Sequence, residues 1–339
     1  MRTQALGIIT AKEFRDHLRS RRFLTILAVF LIVASLGMIA GTVQYQKDLD
    51  EYNEAQVLAS GEEEPVSTRY PPSSSRPSIM KVFEQIGSMT AIIGSFLGLA
   101  MGFDLVTREK ESKSLKMLLS HPIYRDEVIT GKLLGGAGAI ALAGAITVGI
   151  ALAVLLIGGV VLSSVEMIKV LLFGVFTFLF IFSPFVVALF FSTVAKNSGM
   201  ALVASLALVV VTMLVIPLIL TIPMVTDTIL GEPPEFPEES DAEEIAEYET
   251  EIKAYYDARN TLMRTAMLIS PSWNYDQILE TMIPDDRNRD DISDDTEEPG
   301  ISALFEMIAD LSHHLIALLV LPAGFFGLAW VRFAREDIR

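Results

Sequence analysis

The residues whose types and spacing could do chemistry cluster in three places. His313 and His314 stand side by side, with Asp310 and Glu306 one and two turns earlier. Asp310 and His314 share a helix face at i, i+4. A metal centre needs three or four converging ligands, yet there is no HExxH pattern, and His17 and His121 belong to the opposite side of the membrane in the topology below. The pair reads as an interfacial polar patch or a solvated residue at the mouth of a pathway. A second cluster, Asp286, Asn288, Asp290, Asp294 and Glu297, fits positions 1, 3, 5, 9 and 12 of a calcium loop. Position 6 is Asp291 where the sharp turn needs Gly, and position 8 is Ser293 rather than an aliphatic anchor. In so acidic a run such matches arise by chance, and diffuse cation binding is the expectation. The third place is Gly131-Lys132. A phosphate-cradling loop needs GxxxxGK[ST], but Asp126 occupies the first Gly position and Leu133 follows the lysine. Energy from ATP would have to come from another chain. The chain has no Cys, so disulfides and thiolate metal sites are excluded. No catalytic, cofactor or metal residue is assigned.

The elements that position these residues are membrane helices. With 339 residues, 51% hydrophobic, and a mean hydropathy of +0.46, the chain is too apolar for an ordinary soluble domain of its length. Runs long enough to cross a bilayer predict six transmembrane helices, at about 23–43, 84–106, 132–161, 169–194, 199–222 and 309–333. Six crossings put both termini on one side. Arg2, Lys12, Arg15, Arg19, Arg21 and Arg22 precede the first span, and six Lys or Arg from Arg108 to Lys132 separate the second from the third. The basic excess predicts cytoplasmic termini in a multi-pass cell-membrane protein. The first span is too long for a cleaved signal's apolar core and reads as retained. The predicted fold is thus an all-α integral membrane protein.

Between the spans, residues 1–22 read as a basic amphipathic entry helix in the headgroup plane, with Leu6, Ile9, Phe14 and Leu18 at near-helical spacing. An outside loop at 45–80 is rich in Pro, Ser and charge. Residues 23–222 hold the first five spans, 223–308 form an acidic, partly helical extracytoplasmic segment, and 309–339 hold the last span and a cytoplasmic tail. Ile245, Tyr248, Ile252, Tyr255 and Tyr256 predict an amphipathic helix over 241–268. Residues 269–283 read as a re-entrant or interfacial leg, with Trp273 and Tyr275 at headgroup level. Most of the net charge of −16 lies in this outer segment. It reads as a solvated, halophile-like surface that repels nucleic acid and anionic lipid.

Gly94, Gly98 and Gly102 in the second span, and Ala137, Ala141, Ala145 and Gly149 in the third, recur every four residues. In lipid such ladders permit close helix packing, within one subunit or between two. Pro184, Pro217 and Pro322 should each kink a span. The cores of the spans contain almost no ionisable residue, which argues against an ion-coupled secondary transporter or a channel with a charged filter.

The strongest signal is the charged, patterned stretch between the second and third spans. Ser112 or Ser114 can cap a short helix, Leu115, Leu118 and Leu119 then share a face, Pro122 ends it, and Asp126 can cap the next helix. The apolar stripe rests on lipid or on the protein's own helix ends, or docks in a groove of a cytoplasmic partner.

FDLVTREKESKSLKMLLSHPIYRDEVITGKLLG resembles the signature of type-2 ATP-binding-cassette (ABC-2) permeases, roughly an acid followed by sRErexGTL, LLsxPvsR and xxGKxl. Asp104, Arg108, Glu109, Glu111, Leu115, Leu119, Pro122, Arg125, Gly131 and Lys132 fall on matching positions. Lys113-Ser114 replaces the usual Gly-Thr. AKEFRDHLRSRRF (11–23) resembles the family's entry helix, and LISPSWNYDQI (268–278) resembles the segment before its last span. The resemblance implies a coupling helix between spans two and three that sits in a cleft of a separate ATPase. It also implies two such cytoplasmic ABC ATPase subunits and a second permease subunit, as homodimer or heterodimer. ATP-Mg would be held by the ATPase and no cofactor by this chain. The expected function is the pathway-forming subunit of an ATP-driven transporter, an exporter. Coupling is expected through Arg108, Glu109, Glu111, Ser112, Leu115, Leu118, Leu119, Pro122, Arg125 and Lys132. The alternative is a non-transporting scaffold or mechanotransducing subunit of an ABC-type complex. The substrate is not legible.

Overall fold

The computed structural model describes residues 2–60, 77–114, 124–236, 242–282 and 301–335, and the regular secondary structure among them is entirely helical. The elements are α1 (Arg2–Arg19), α2 (Arg21–Ser60), α3 (Met80–Gly102), α4 (Thr107–Glu111), α5 (Arg125–Ile157), α6 (Ser164–Val194) and α7 (Ser198–Val210). A π-helical turn (Val211–Val215) leads into α8 (Ile216–Thr221), followed by α9 (Pro223–Leu230), α10 (Ala242–Met267), α11 (Pro271–Met282), α12 (Ile301–Asp310) and α13 (Ser312–Ala334). Six helical stretches among the described residues are long and apolar enough to cross a membrane: Arg21–Gln56, Met89–Glu111, Arg125–Ile157, Ser164–Val194, Ser198–Thr221 and Ser312–Ala334. Large apolar side chains such as Ile32, Leu36, Val203 and Val320 are exposed, as lipid rather than water would favour.

Hydrogen bonds show that the spans alternate in direction. The Arg22 guanidinium at the start of α2 bonds Asp104 just past α3 (3.1 Å), and Arg125 at the start of α5 donates to the Ala334 carbonyl at the end of α13 (3.5 Å). Glu111 accepts from the Ser198 N–H at the start of α7. At the other end of the bundle, the Gln46 amide donates to the Gly158 carbonyl beyond α5, and Lys169 near the start of α6 reaches the Met282 carbonyl at the end of α11.

Helix α6 is the central strut, packing on α3, α5, α7, α11 and α13. The Gly94, Gly98 and Gly102 ladder lies on it, within one subunit. A Cβ on Gly94 would come 2.9 Å from Ile181 Cγ1. One on Gly98 would collide with the Ile181 carbonyl, and one on Gly102 with that of Phe185. Only hydrogen at these positions lets the two backbones come so close. The α5 ladder behaves differently. Ala141, Ala145 and Gly149 are exposed and Ala137 is half-buried, while the opposite face of α5, including Gly131, Gly135 and Gly136, is buried.

Several expectations change. Residues 45–60 are helix, not loop: α2 runs 40 residues because QKDLDEYNEAQVLA contains good helix formers and no Gly or Pro. Helix α5 begins at Arg125, and its entry is closed by the Glu127 carboxylate accepting the Tyr124 N–H (3.2 Å), not by Asp126. Pro217 is accommodated by the π turn before it, which absorbs the bond its missing N–H leaves unmade. Pro184 and Pro322 lie inside α6 and α13, where each takes one N–H out of the helix bonding. The helix expected at 241–268 is α10. Helix α11 is too short to span, and it packs against α3, α6 and α13. Tyr275 is therefore not a headgroup anchor. It is fully buried, stacks on Phe180, and its hydroxyl lies 2.8 Å from the Thr177 hydroxyl. Asn274 beside it donates to the Leu268 and Ser270 carbonyls, and its Oδ1 lies 2.8 Å from His314 Nδ1. His314 thus contacts an amide, and no group of three or more possible metal ligands converges among the described residues. The calcium-like run 286–297 lies outside the described residues.

Candidate functional site

The charged stretch after α3 meets α1, α5, α6 and α7 in a compact polar platform. Helix α1 supplies its first part. Its inward stripe is Ile9, Glu13 and His17, spaced i, i+4, i+8, with Phe14 and Leu18 partly buried beside it. The stripe is spent on α5 rather than left free for lipid. Gly131 and Gly135 make room for it: a Cβ there would come 2.5 Å from Ile9 Cγ2 and 2.6 Å from Glu13 Cβ.

Between those two glycines stands Lys132. Its side chain is 1% exposed, and its ammonium lies 2.7 Å from Glu109 Oε1 and 3.0 Å from Glu13 Oε1. One buried cation thus binds a carboxylate from the entry helix and one from the segment leaving α3. Lys12 adds a second cation, 2.9 Å from Glu13 and 3.2 Å from Asp16. Burial alone would raise the Glu13 pKa, but Lys132 and Lys12 together hold it below the ordinary value. Burial alone would lower the Lys12 pKa, but the carboxylates of Glu13, Glu109 and Asp16 together hold it above its ordinary value. At His17 the nearby carboxylates do not outweigh burial. Burial pushes its pKa down to about 4, with Lys132 and Arg108 adding to the effect against Glu13 and Asp16.

Helix α4 is tied to two further spans. The Ser192 hydroxyl, near the end of α6, accepts the Val106 and Thr107 N–H groups at 2.9 and 3.1 Å. Lys110 donates to the Thr193 carbonyl at 2.7 Å, where the C-terminal dipole of α6 favours a cation. Glu111 accepts the Ser198 N–H at 2.7 Å, and its other oxygen lies 3.2 Å from Ser198 Oγ. It thereby caps α7 from a different part of the chain, next to the local cap in which Asn197 Oδ1 accepts the Met200 N–H.

The sequence-derived residues therefore divide. Arg108 and Ser112 are exposed at the surface of the platform. Glu109, Glu111, Arg125 and Lys132 are bonded inside the subunit, and Lys132 is too deeply buried for direct contact with a partner. Leu115, Leu118, Leu119 and Pro122 lie outside the described residues. Lys113, where the resemblance expects Gly, has φ +58°, the left-handed conformation that glycine adopts most easily. Sequence reasoning missed Glu13, Ser192 and Ser198. A signal existed for Glu13, a carboxylate at the four-residue spacing of an otherwise inward stripe.

The platform is built from the signature itself, and comparison with known families agrees. The model described as ABC-2 family transporter protein matches residues 8–338. The chain belongs to the ABC-2 family. ABC-2 proteins are the transmembrane component of ABC transporters, lack the nucleotide-binding domain, and normally work with an ABC ATPase partner. No curated protein matches this ABC-2 chain in sequence.

Proposed function

We propose that this ABC-2 subunit forms the pathway of an ATP-driven exporter and takes its power stroke from a separate ATPase through the segment between α4 and α5. The observation that carries the reading is the anchorage of that segment's described flanks. On one side, α4 is bonded to α6 through Ser192 and Lys110, to α7 through Glu111, and to α1 and α5 through Glu109 and Lys132. On the other, the segment continues directly into α5. A push on residues 115–123 therefore loads three spans and the entry helix at once, as a lever must. In this reading the platform is cytoplasmic, the exposed Arg108 and Ser112 border the docking surface, and Leu115, Leu118 and Leu119 provide its apolar contact. Two ATPases, each with ATP-Mg, and a second permease subunit complete the assembly.

The test is affinity purification of the tagged chain from its host in mild detergent. A stoichiometric ATPase is expected, and Leu118→Asp with Leu119→Asp should release it while leaving the subunit folded. An ATPase retained by the double variant at wild-type stoichiometry would remove the docking role.

One observation favours a mechanical variant of the same reading. Helix α2 is 40 residues long, about 60 Å, twice what a bilayer core requires, and so offers a rigid contact beyond the membrane. ATP hydrolysis stimulated by a partner protein rather than by a small substrate would mark a transducer.

A further inference from the structure

An open groove of about 610 Å³ lies between the end of α6 and the last three turns of α13. Phe190 and Val194 line it from α6, and Gly324, Leu328 and Val331 from α13. These α13 positions recur every three or four residues and so share one face of the helix. Val194, Leu328 and Val331 are exposed, so the groove opens to the lipid side of the bundle. A Cβ on Gly324 or Gly327 would meet nothing within 4 Å, so among the described residues no other helix uses these glycines for packing. Arg332 and Arg335 complete the lining at the end nearest the polar platform, where Arg125 at the start of α5 donates to the Ala334 carbonyl. From Gly324 to Arg335 the helix rises about 16 Å, about half the thickness of a bilayer core. The groove therefore has the depth of one leaflet, apolar below and basic at its rim.

The two arginines stand apart from other cations at this end of the bundle. Lys12, Arg22 and Lys132 each meet a carboxylate, and Lys110 meets a carbonyl. Arg332 and Arg335 are exposed, and among the described residues neither makes an ion pair, in a chain rich in carboxylates. Spaced i, i+3, they are neighbours on the helix surface. A guanidinium presents a planar fork of donors that fits a phosphate. Two of them above an apolar groove select a molecule that is anionic at one end and hydrocarbon at the other. A second copy of the chain suits the groove less well. Pairing about a two-fold axis along the membrane normal would set the arginines of both copies against each other.

We infer that the groove is a binding site for one anionic phospholipid of the leaflet at the platform end. Its phosphate is held by Arg332 and Arg335, and one acyl chain lies along the groove between Phe190 and Val194 on one side and Leu328 and Val331 on the other.

The chain has two tryptophans, so Trp273→Phe, Trp330→Phe and Leu328→Trp together leave a single fluorescent reporter in the groove of the full-length protein. It is reconstituted in dioleoylphosphatidylcholine vesicles with rising fractions of dibrominated phosphatidylcholine or dibrominated phosphatidylglycerol, and quenching by bromine is read. The phosphatidylglycerol should reach half-quenching at a roughly twentyfold lower fraction, since each arginine at the membrane surface is worth roughly fivefold. Arg332→Gln or Arg335→Gln alone should cut the preference to roughly fivefold, and the two together should abolish it. With Val203→Trp in place of Leu328→Trp, the reporter sits on the exposed face of α7 and should show no comparable preference. Equal quenching by the two lipids in the groove, a preference that survives the double substitution in folded protein, or the same preference at position 203 overturns the site. If the double variant does not fold, the single variants decide, and a preference unchanged in both overturns it. A reporter in the groove that neither lipid quenches means that protein covers it, a second copy or another chain, and also overturns the lipid site.

Discussion

Helices α3 and α5 both carry small residues every fourth position, and the fold treats them in opposite ways. Gly94, Gly98 and Gly102 of α3 are closed against the backbone of α6. Ala141, Ala145 and Gly149 of α5 face outward, and among the described residues nothing comes within 4 Å of a Cβ built on Gly149. The small residues that α5 does use, Gly131 and Gly135, lie on its other face and receive α1, with Lys132 between them. Spacing alone identifies a surface that permits close approach. What decides its use is the surface that arrives: a backbone against α3, a carboxylate-bearing helix against the inner face of α5, and, among the described residues, nothing against Gly149 on the outer face.

The difference can be broken most severely at Lys132. Lys132→Met would leave Glu13 and Glu109 buried without their shared cation, and removing one member of a buried pair costs about 3–5 kcal/mol. The expected outcome is loss of protection of α1 in hydrogen exchange, with α3 and α6 unaffected. Gly98→Val tests the α3 ladder. The Cβ would strike main chain that cannot rotate away, so a loss of about 3 kcal/mol or more is expected, read as a fall in the yield of monodisperse protein. Enlargement to the same side chain on the outer face, Ala145→Val, should move subunit stability by less than about 0.5 kcal/mol. An equal fall in monodisperse yield for both would abolish the distinction between the ladders.

Acid should loosen the inner face selectively. His17 has a folded pKa of about 4 against an ordinary 6.5, so it stays neutral when docked. Its contribution is complete above pH 6.5 and is lost as the pH falls from there toward 4, by about 3 kcal/mol at most. Glu13, with its pKa lowered, loses its contribution at still lower pH, in the same direction. Proteolysis of α1 should therefore rise below pH 6.5, and His17→Phe should flatten the upper part of that profile. The smallest effect belongs to Lys113. A left-handed backbone at a side chain with a Cβ costs about 1 kcal/mol that glycine avoids, offset in part by glycine's greater freedom when unfolded. Lys113→Gly should raise the melting temperature slightly or leave it unchanged, whereas Lys113→Val should lower it.

Much of this arrangement was legible in the chain, for identifiable reasons. The spans announce themselves because twenty or more apolar residues leave few alternatives. The helix at 242–267 follows from three- and four-residue spacing; the same spacing marks α1 as amphipathic, but not that its inward side, with Glu13 and His17, closes on α5. The burial of Lys132 was not legible: its partners lie 23 and 119 residues away, and nothing local marks a lysine as internal. Tyr275 looks the same in sequence whether it anchors at a headgroup or stacks on Phe180, since both uses want an aromatic body and a hydroxyl. Residues 45–60 were misread because the Pro-rich run that follows coloured the whole segment, although their own composition favours helix.

Helix α2 has one further property as a solid object. It is a single rod of about 60 Å, and its foot is pinned at Arg22 to Asp104, beside the platform. A rotation of only about 5° about that foot would carry Ser60 sideways by about 5 Å over such a length. The rod works as a pointer, turning a displacement smaller than one side chain at the basic end into a movement the width of a strand of backbone at the other.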